Sequence, residues 1–298
     1  MAVYLGRNSS LGFAKETTWG TAVSRTNWRP VASVSLSRKV TQVPRPDLKS
    51  DAGSAMRRGN FISESVTDGS ASIVCTYDNV GMLLEAAMGS SASTGSGPYT
   101  HTYTLAAAPP TGLTVEVVRG TSGQSEVFEG VKLNNMTLAV SSGEAMMMDM
   151  DFIGQTSAAR GSAGTPSYGA QENLVLHSHA GQMTFNSVSY DLRSLTLKVE
   201  NSLDRRQLLG SSETKEPVRS DFMSVTVDVE LEAIDSIYQA QIAGTQGDLE
   251  ITFTHPTVSN RSFKIDLQNA VMSSCDDSIG DAGVVSVSAS FFGESDGG

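Results

Sequence analysis

Apolar residues recur at every second position through many short stretches of this chain, the period of a strand with one face buried and the other in water. Val225, Val227, Val229 and Leu231 alternate with Thr226, Asp228, Glu230 and Glu232, and Met146, Met148, Met150 and Phe152 alternate with Met147, Asp149, Asp151 and Ile153. The pattern predicts strands over 33–38, 61–77, 113–118, 127–140 and 145–153, then over 195–199, 222–232, 249–254 and 262–271. Asp68-Gly69 reads as a turn dipeptide breaking the second of these. Helical spacing appears twice. Asp78 reads as the N-cap of a helix with Val80, Leu83, Leu84, Ala87 and Met88 on one face and Gly89 as its stop. Asp235 reads as the cap of another, with Ile237, Tyr238 and Ile242 on its face and Gly244 after it. The chain up to about Val31 reads as an arm packed on the core in pieces. Residues 39–60, polar and carrying Pro44 and Pro46, read as a long loop; 90–98 and 200–220 read as loops too.

The pattern also repeats. Val131, Leu133 and Asn135 match Ile265, Leu267 and Asn269 at an offset of 134, while Met146, Met148, Met150 and Phe152 match Val285, Val287, Ala289 and Phe291 at an offset of 139. The order strand, long loop, strand, helix, hairpin, strand occurs twice. The chain is therefore predicted to be mainly β, with two tandem antiparallel β-sandwich or half-barrel domains, each with one packed α-helix. Residues 1–156 form the first, with its N-terminal arm, the loop 39–60 and an inserted loop 90–112. Residues 157–170, rich in Gly, Ser, Ala and Thr, form a linker, and 171–298 the second domain.

Composition narrows the choices. Hydrophobic residues make up 39% of the 298, with no apolar run near the length of a membrane-spanning helix. No signal-peptide pattern opens the chain, so the product is expected in the cytoplasm of the cell that makes it. Cys75 and Cys275 stand at non-equivalent places in the two halves, which predicts two reduced thiols. The net charge of −11 is uneven: residues 1–165 hold 13 Lys and Arg against 13 Asp and Glu, and residues 166–298 hold 8 against 19. Within the first half, Arg25, Arg29, Arg38, Lys39, Arg45, Lys49, Arg57 and Arg58 crowd one segment. A basic segment and an acidic half in one chain predict charge-complementary contact, within the fold or between copies.

Four features make the chain resemble the tail tube proteins of long-tailed, non-contractile bacteriophages. These are the opening Gly12-Phe13-Ala14-Lys15-Glu16-Thr17-Thr18-Trp19-Gly20-Thr21, the long polar loop after the first strand, the single helix after the second, and closing strands that end in Phe152-Ile153-Gly154 and Phe291-Phe292-Gly293. The resemblance implies a structural virion protein whose rings stack into a hollow tube for DNA ejection. It implies neighbouring inner sheets joined into one barrel, and a long loop reaching toward the next ring. The duplicated type points to a trimeric ring with pseudo-sixfold symmetry, with a hexamer as the alternative. Rings are expected to stack helically, and the tape measure, tail-tip and tail-terminator proteins to be partners. Assembly is expected in the host cytoplasm, away from any membrane.

Two sets of charged residues are candidates for function. Asp149, Asp151, Asp228, Glu230 and Glu232 share strand faces, joined by Asp248 and Glu250 on a further strand. They read either as a solvated outer face or as the lining of a lumen, where an acidic wall repels phosphates and DNA passes without sticking. Arg45, Lys49, Arg57 and Arg58 read as an inter-ring contact, a nucleic-acid patch or a merely solvated loop. Alternation assigns Met146, Met148 and Met150 to core packing in place of soft-metal binding. His177 and His179 lack the further ligands of a zinc site. No nucleophile elbow, P-loop or Rossmann glycine pattern occurs, so neither catalysis nor a cofactor is expected. The competing assignment is a two-domain β-sandwich that binds carbohydrate or a receptor, which requires Trp19, Trp28, Tyr99 and Tyr103 to be exposed.

Overall fold

The computed structural model describes residues 6–47, 59–78, 80–108, 111–120, 124–169, 175–177, 181–232, 235–258, 260–278 and 285–294. The first half contains β1 (Ser10–Lys15), β2 (Asn27–Pro30), β3 (Ser33–Val34), β4 (Ser37–Pro44), β5 (Asn60–Val74), α1 (Gly81–Met88), β6 (Gly89–Thr94), β7 (Thr100–Leu105), β8 (Leu113–Arg119), β9 (Gln124–Ser141) and β10 (Met147–Gly154). The short strands β11 (Thr156–Ser157) and β12 (Gly161–Ser162) follow. The second half contains β13 (Gly181–Phe185), β14 (Val188–Tyr190), β15 (Leu192–Glu200), β16 (Leu203–Arg206), β17 (Lys215–Arg219), β18 (Ser224–Glu232), α2 (Asp235–Ile242), β19 (Gln246–Thr254), β20 (Ser262–Ser278) and β21 (Ser286–Gly293).

Antiparallel pairing arranges these strands in one order twice. In the first half β4, β5, β10 and β9 lie side by side, and β9 continues into β8, β1 and β2. In the second, β15, β18, β21 and β20 lie side by side, and β20 continues into β19, β13 and β14. One long strand per half thus serves two sheets, and alternation turns the apolar residues of both sheets toward each other. Phe185 of β13 meets Phe291 of β21 across this gap, ring centroids 5.2 Å apart. Phe13, Val115 and Phe128 are buried with Ile73, Met148 and Phe152 in the same way. The helices α1 and α2 pack against β9 and β20.

The two halves share a seam. β15 pairs with β9, setting Leu195, Leu197 and Val199 opposite Val140, Leu138 and Met136. All six are buried, so the apolar core runs unbroken from Leu11 to Phe291. Each such side chain gains roughly 1.5–3 kcal/mol by leaving water, before the entropy of ordering is set against it.

Bulges fix the register of the long strands. On β9 the ladder slips between Phe128 and Val131 and again between Leu133 and Asn135; on β20 it slips between Leu267 and Ala270 and again between Met272 and Ser274. Leu133 and Met272 therefore hold corresponding places, 139 residues apart, as Phe152 and Phe291 do. The match of Val131, Leu133 and Asn135 to Ile265, Leu267 and Asn269 is displaced by five residues from this correspondence. Both strands carry their bulges at the same places, so the displacement comes from matching side-chain types alone, which recur along each strand.

Several local expectations change. β4 runs to Pro44, paired with the start of β5, so 39–44 is strand. Its side chains are exposed on both faces, and without a core no period of two is imposed. Residues 90–105 form the β6–β7 hairpin for the same reason. The first piece of the N-terminal arm, β1, packs on the core as a buried strand held between β8 and β2. β11 and β12 lay the start of the Gly/Ser-rich segment along β9. Val80, in place of Asp78, is the N-cap of α1 and makes no side-chain cap bond, whereas Gly89 does close the helix in the left-handed region at φ 94°. On α2 only Ile237 of the expected face is buried; Tyr238 and Ile242 are 46% and 63% exposed.

Gly69 is the sharpest of these differences. β5 runs straight through Asp68-Gly69, which is therefore no turn. The glycine has φ +149°, and a Cβ there would lie 2.5 Å from the Leu36 Cα where the chain steps from β3 to β4. Only a residue without a side chain lets the two backbones approach so closely. Gly69→Ala is expected to destabilise the fold by about 2 kcal/mol, read from the urea midpoint, since strained backbone of this kind costs of order 1–3 kcal/mol; an unchanged midpoint would show that the crossing is slack.

Candidate assembly surfaces

The candidate acids come together on one surface. β10 buries Met148, Met150 and Phe152 and leaves Asp149 and Asp151 exposed; β18 buries Val227, Val229 and Leu231 and turns Asp228, Glu230 and Glu232 the other way. The ladders extend this face sideways. Asp149 lies between Ser72 and Thr137, and Asp151 between Ser70 and Asn135. Asp228 lies between Thr196 and Ser290, and Glu230 between Ser194 and Ser288. The result is a surface of hydroxyls, amides and carboxylates, with Val74, Met147, Ala139 and Phe292 among them, crossing eight strands from β4 to β20 and passing over the seam. Asn135 donates to Asp151 at 3.2 Å and Ser290 to Asp228 at 2.5 Å, while Arg193 pairs with Glu232 at 3.4 Å. Lys198, the cation nearest the middle of this face, pairs with Glu200. Charge alternation exposed the acids to sequence reading; the serines and threonines beside them carry no such signal. Asp248 and Glu250 do not join the set. They sit on β19, whose sheet packs its inner face against β21, so they line the opposite side of the sandwich.

The basic segment is largely consumed inside the fold. Arg25 pairs with the buried Glu116, and Arg29 is buried and donates to Thr76 at 2.7 Å. Arg38 donates to Ser65 at 2.7 Å and pairs with Glu213 at 3.1 Å; Lys39 pairs with Asp68 at 3.0 Å. Arg45 pairs with its neighbour Asp47 at 3.0 Å and remains about half exposed. Lys49, Arg57 and Arg58 lie outside the described residues. The expected contact between basic segment and acidic half thus exists within the chain, through Arg38 and Glu213.

That contact belongs to a larger clasp. The β16–β17 hairpin of the second half folds over the first: Arg205 reaches Asp68 at 3.1 Å, Lys132 reaches Glu216 at 2.8 Å, and the Ser65 amide donates to the Ser212 carbonyl at 2.6 Å. Burial would raise the Asp68 pKa, but hydrogen bonds and charge from Lys39 and Arg205 outweigh it and hold the carboxyl below its ordinary value. Beneath the clasp the buried Asn201 donates to the carbonyls of Ala87 and Leu133, and Arg219 donates to Asn201 and to the carbonyls of Ala106 and Ala107.

The remaining candidates take structural places. Met146, Met148 and Met150 are buried in the core. Both cysteines are free and buried, and burial pushes the Cys75 thiol up to about 12, with Arg29 opposing the shift and Asp149 adding to it. His177 bridges to Ala145, and His179 lies outside the described residues. Trp28 is buried, Trp19 is half-buried against Gly112 and Gly130 and donates to the Gly130 carbonyl at 3.1 Å, and Tyr99 is exposed.

The N-terminal motif closes around one carboxylate. Glu16, 2% exposed, accepts from the Gly130 amide at 2.9 Å and the Thr114 hydroxyl at 3.0 Å with one oxygen, and from the Gly20 amide at 2.8 Å with the other. Trp19 covers Gly130, where a Cβ would lie 2.9 Å from the indole. Gly12 gives room to the Trp28 ring in the same way. The run from Gly12 to Gly20 is thus a built joint between β1, β8 and β9, and a family model described as phage tail tube protein matches residues 6–292 around it.

The chain belongs to the phage tail tube protein family.

No curated protein matches it. As a tail tube protein it is a structural component of the virion that self-assembles into a tail tube, and it is non-enzymatic by family. Among the described residues no helix is long and apolar enough to cross a membrane. Replacing Glu16 by Ala would orphan two amides and a hydroxyl in the joint, each worth about 1–3 kcal/mol when left buried and unpaired. Glu16→Ala is expected to lower unfolding free energy by roughly 3 kcal/mol, with Glu16→Gln losing less; equal loss in both variants, measured by urea denaturation, would mean that the charge and not the acceptor geometry matters.

Proposed function

We propose that this tail tube protein forms rings that stack into a hollow tube, and that the acidic, hydroxyl-rich face lines the channel through which DNA leaves the capsid. The observation that carries this reading is the continuity of that face: polar groups pass the seam between the halves in the rows Asp151, Asn135, Glu200 and Asp149, Thr137, Lys198. DNA carries dense negative charge and binds proteins by exchanging counterions for Lys and Arg. A wall of Asp, Glu, Ser and Thr offers little of that exchange, so the polymer slides. Residues 1–156 and 171–298 are taken as two tandem tube domains joined by 157–170, and the like strand order of the halves supports this. Three chains then make a ring of six tube units, with six chains as the alternative. Closing the ring removes strand edges that otherwise invite aggregation.

Stacking is assigned to the loop that bears Arg45, Lys49, Arg57 and Arg58, facing the acidic half in the adjacent ring. Tape measure, tail-tip and terminator proteins are the partners that such a tube requires, and assembly takes place in the host cytoplasm. The double change Arg57→Glu, Arg58→Glu is expected to leave rings that do not stack, seen by negative stain near 0.1 M salt, where screening acts over about 10 Å; normal tubes would remove the loop from that role. Virions carrying Asp228→Lys, Glu230→Lys and Glu232→Lys are expected to build tubes and eject DNA slowly or incompletely. Unchanged ejection from intact tubes would place that face outside the channel.

A further inference from the structure

Within one chain the edge of β9 that β8 occupies at its start is covered at residues 135–141 by β15. β20 repeats β9 bulge for bulge, with β19 on the same side at 262–271 and β21 on the other at 270–278. Yet among the described residues nothing covers its edge beyond Ser274. The counterpart of β15 is β3 with the start of β4: Leu197 lies opposite Val227, which lies opposite Phe291, just as Leu36 lies over Gly69, which lies opposite Phe152. β3 and β4 pair with β5 on one side, and their other side is open among the described residues. The chain thus ends in two complementary open edges, of the very kinds that meet at its internal seam.

Two further observations join these edges. The β4 edge carries Lys39, which stays 69% exposed beside its partner Asp68, and the β20 edge carries Asp276 and Asp277, both exposed, so the charges on the two edges are opposite. Past Lys39 the β4–β5 ribbon exposes Val40, Val43, Phe61 and Ile62, at 47%, 36%, 50% and 54%. In the first half the end of α1 is covered by the chain that continues from β15, through Asn201 and Arg219. Among the described residues no corresponding cover lies on α2, and Tyr238 and Ile242 are exposed.

We propose that β3–β4 of one copy pairs antiparallel with the free edge of β20 in a second copy, Lys39 opposite Ser274 and Ser37 opposite Asp276, and that the ribbon seats Val40, Val43, Phe61 and Ile62 on the second copy's α2. The register is that of the internal seam, where Glu200 faces Asn135 and Lys198 faces Thr137. It rests on the ring-forming reading above and adds the strands, the register and the apolar seat. Each chain presents one edge of each kind, so the contact is heterologous and propagates until it closes.

Cysteine pairs test it in the full chain with Cys275→Ala. Ser37→Cys with Asp276→Cys is expected to give, on mild oxidation, a reducible ladder of covalent oligomers ending in one closed species. Thr137→Cys with Lys198→Cys, the same pair of places at the internal seam, is expected to cross-link within the chain without a ladder. Ser33→Cys with Ser274→Cys, six residues out of register, is expected to give none. Tubes that assemble without the first ladder, or with the third, overturn this register while leaving the tail tube reading intact; wild-type protein that forms neither rings nor tubes at high concentration overturns both. Independently, Phe61→Glu with Ile62→Glu is expected to yield a folded monomer by circular dichroism and no rings, and undiminished ring formation would overturn the apolar seat.

Discussion

An unpaired strand edge is a row of backbone donors and acceptors seeking partners, and this protein is organised by how its edges are covered. The pairing of β15 with β9 is the central instance. It joins two curled sheets into one surface, makes their apolar cores continuous, and brings the β16–β17 hairpin down onto Asp68, Lys132 and Asn134. The Arg38–Glu213 and Arg205–Asp68 pairs of that clasp are partly exposed and individually worth little, whereas the Lys132 ammonium is buried and depends on Glu216. They orient a junction whose stability comes from Leu195, Leu197 and Val199 leaving water together with their partners.

Where a core exists to impose alternation, the sequence could be read. The strands β10, β18 and β19 stand where the period of two places them, because each buries every second side chain, whereas β8 is buried on both faces from Leu113 to Val118. The β4–β5 ribbon and the β6–β7 hairpin escaped, since both their faces are wet and hydrogen bonding alone makes them strands. Gly69 misled for a related reason: Asp-Gly is a turn signal in isolation, whereas here the glycine makes space for Leu36. Asp78 has the chemistry of a cap but stands two residues before Val80, the cap itself.

The candidate surface was legible in its charges and not in its extent. Asp149, Asp151, Asp228, Glu230 and Glu232 announce themselves against buried neighbours on the same strands. That they share one face, and that Asp248 and Glu250 do not, depends on long-range ladders with no local trace. Basic residues show the converse limitation. Their clustering between Arg25 and Arg58 suggested an external role, and the fold draws four of the eight into ion pairs or burial with Glu116, Thr76, Glu213 and Asp68.

The bulges on β9 and β20 carry a consequence for how such a sequence can drift. Side-chain chemistry at the interior positions is loosely held: Met148 and Met150 in one half stand where the other has Val287 and Ala289, and all four are buried. Residue number is held far more tightly, because one deletion between the two slips of either strand would turn its apolar side toward water and its polar side into the core. The two halves thus agree in spacing, 139 residues from Leu133 to Met272 and from Phe152 to Phe291, where they differ in residue type.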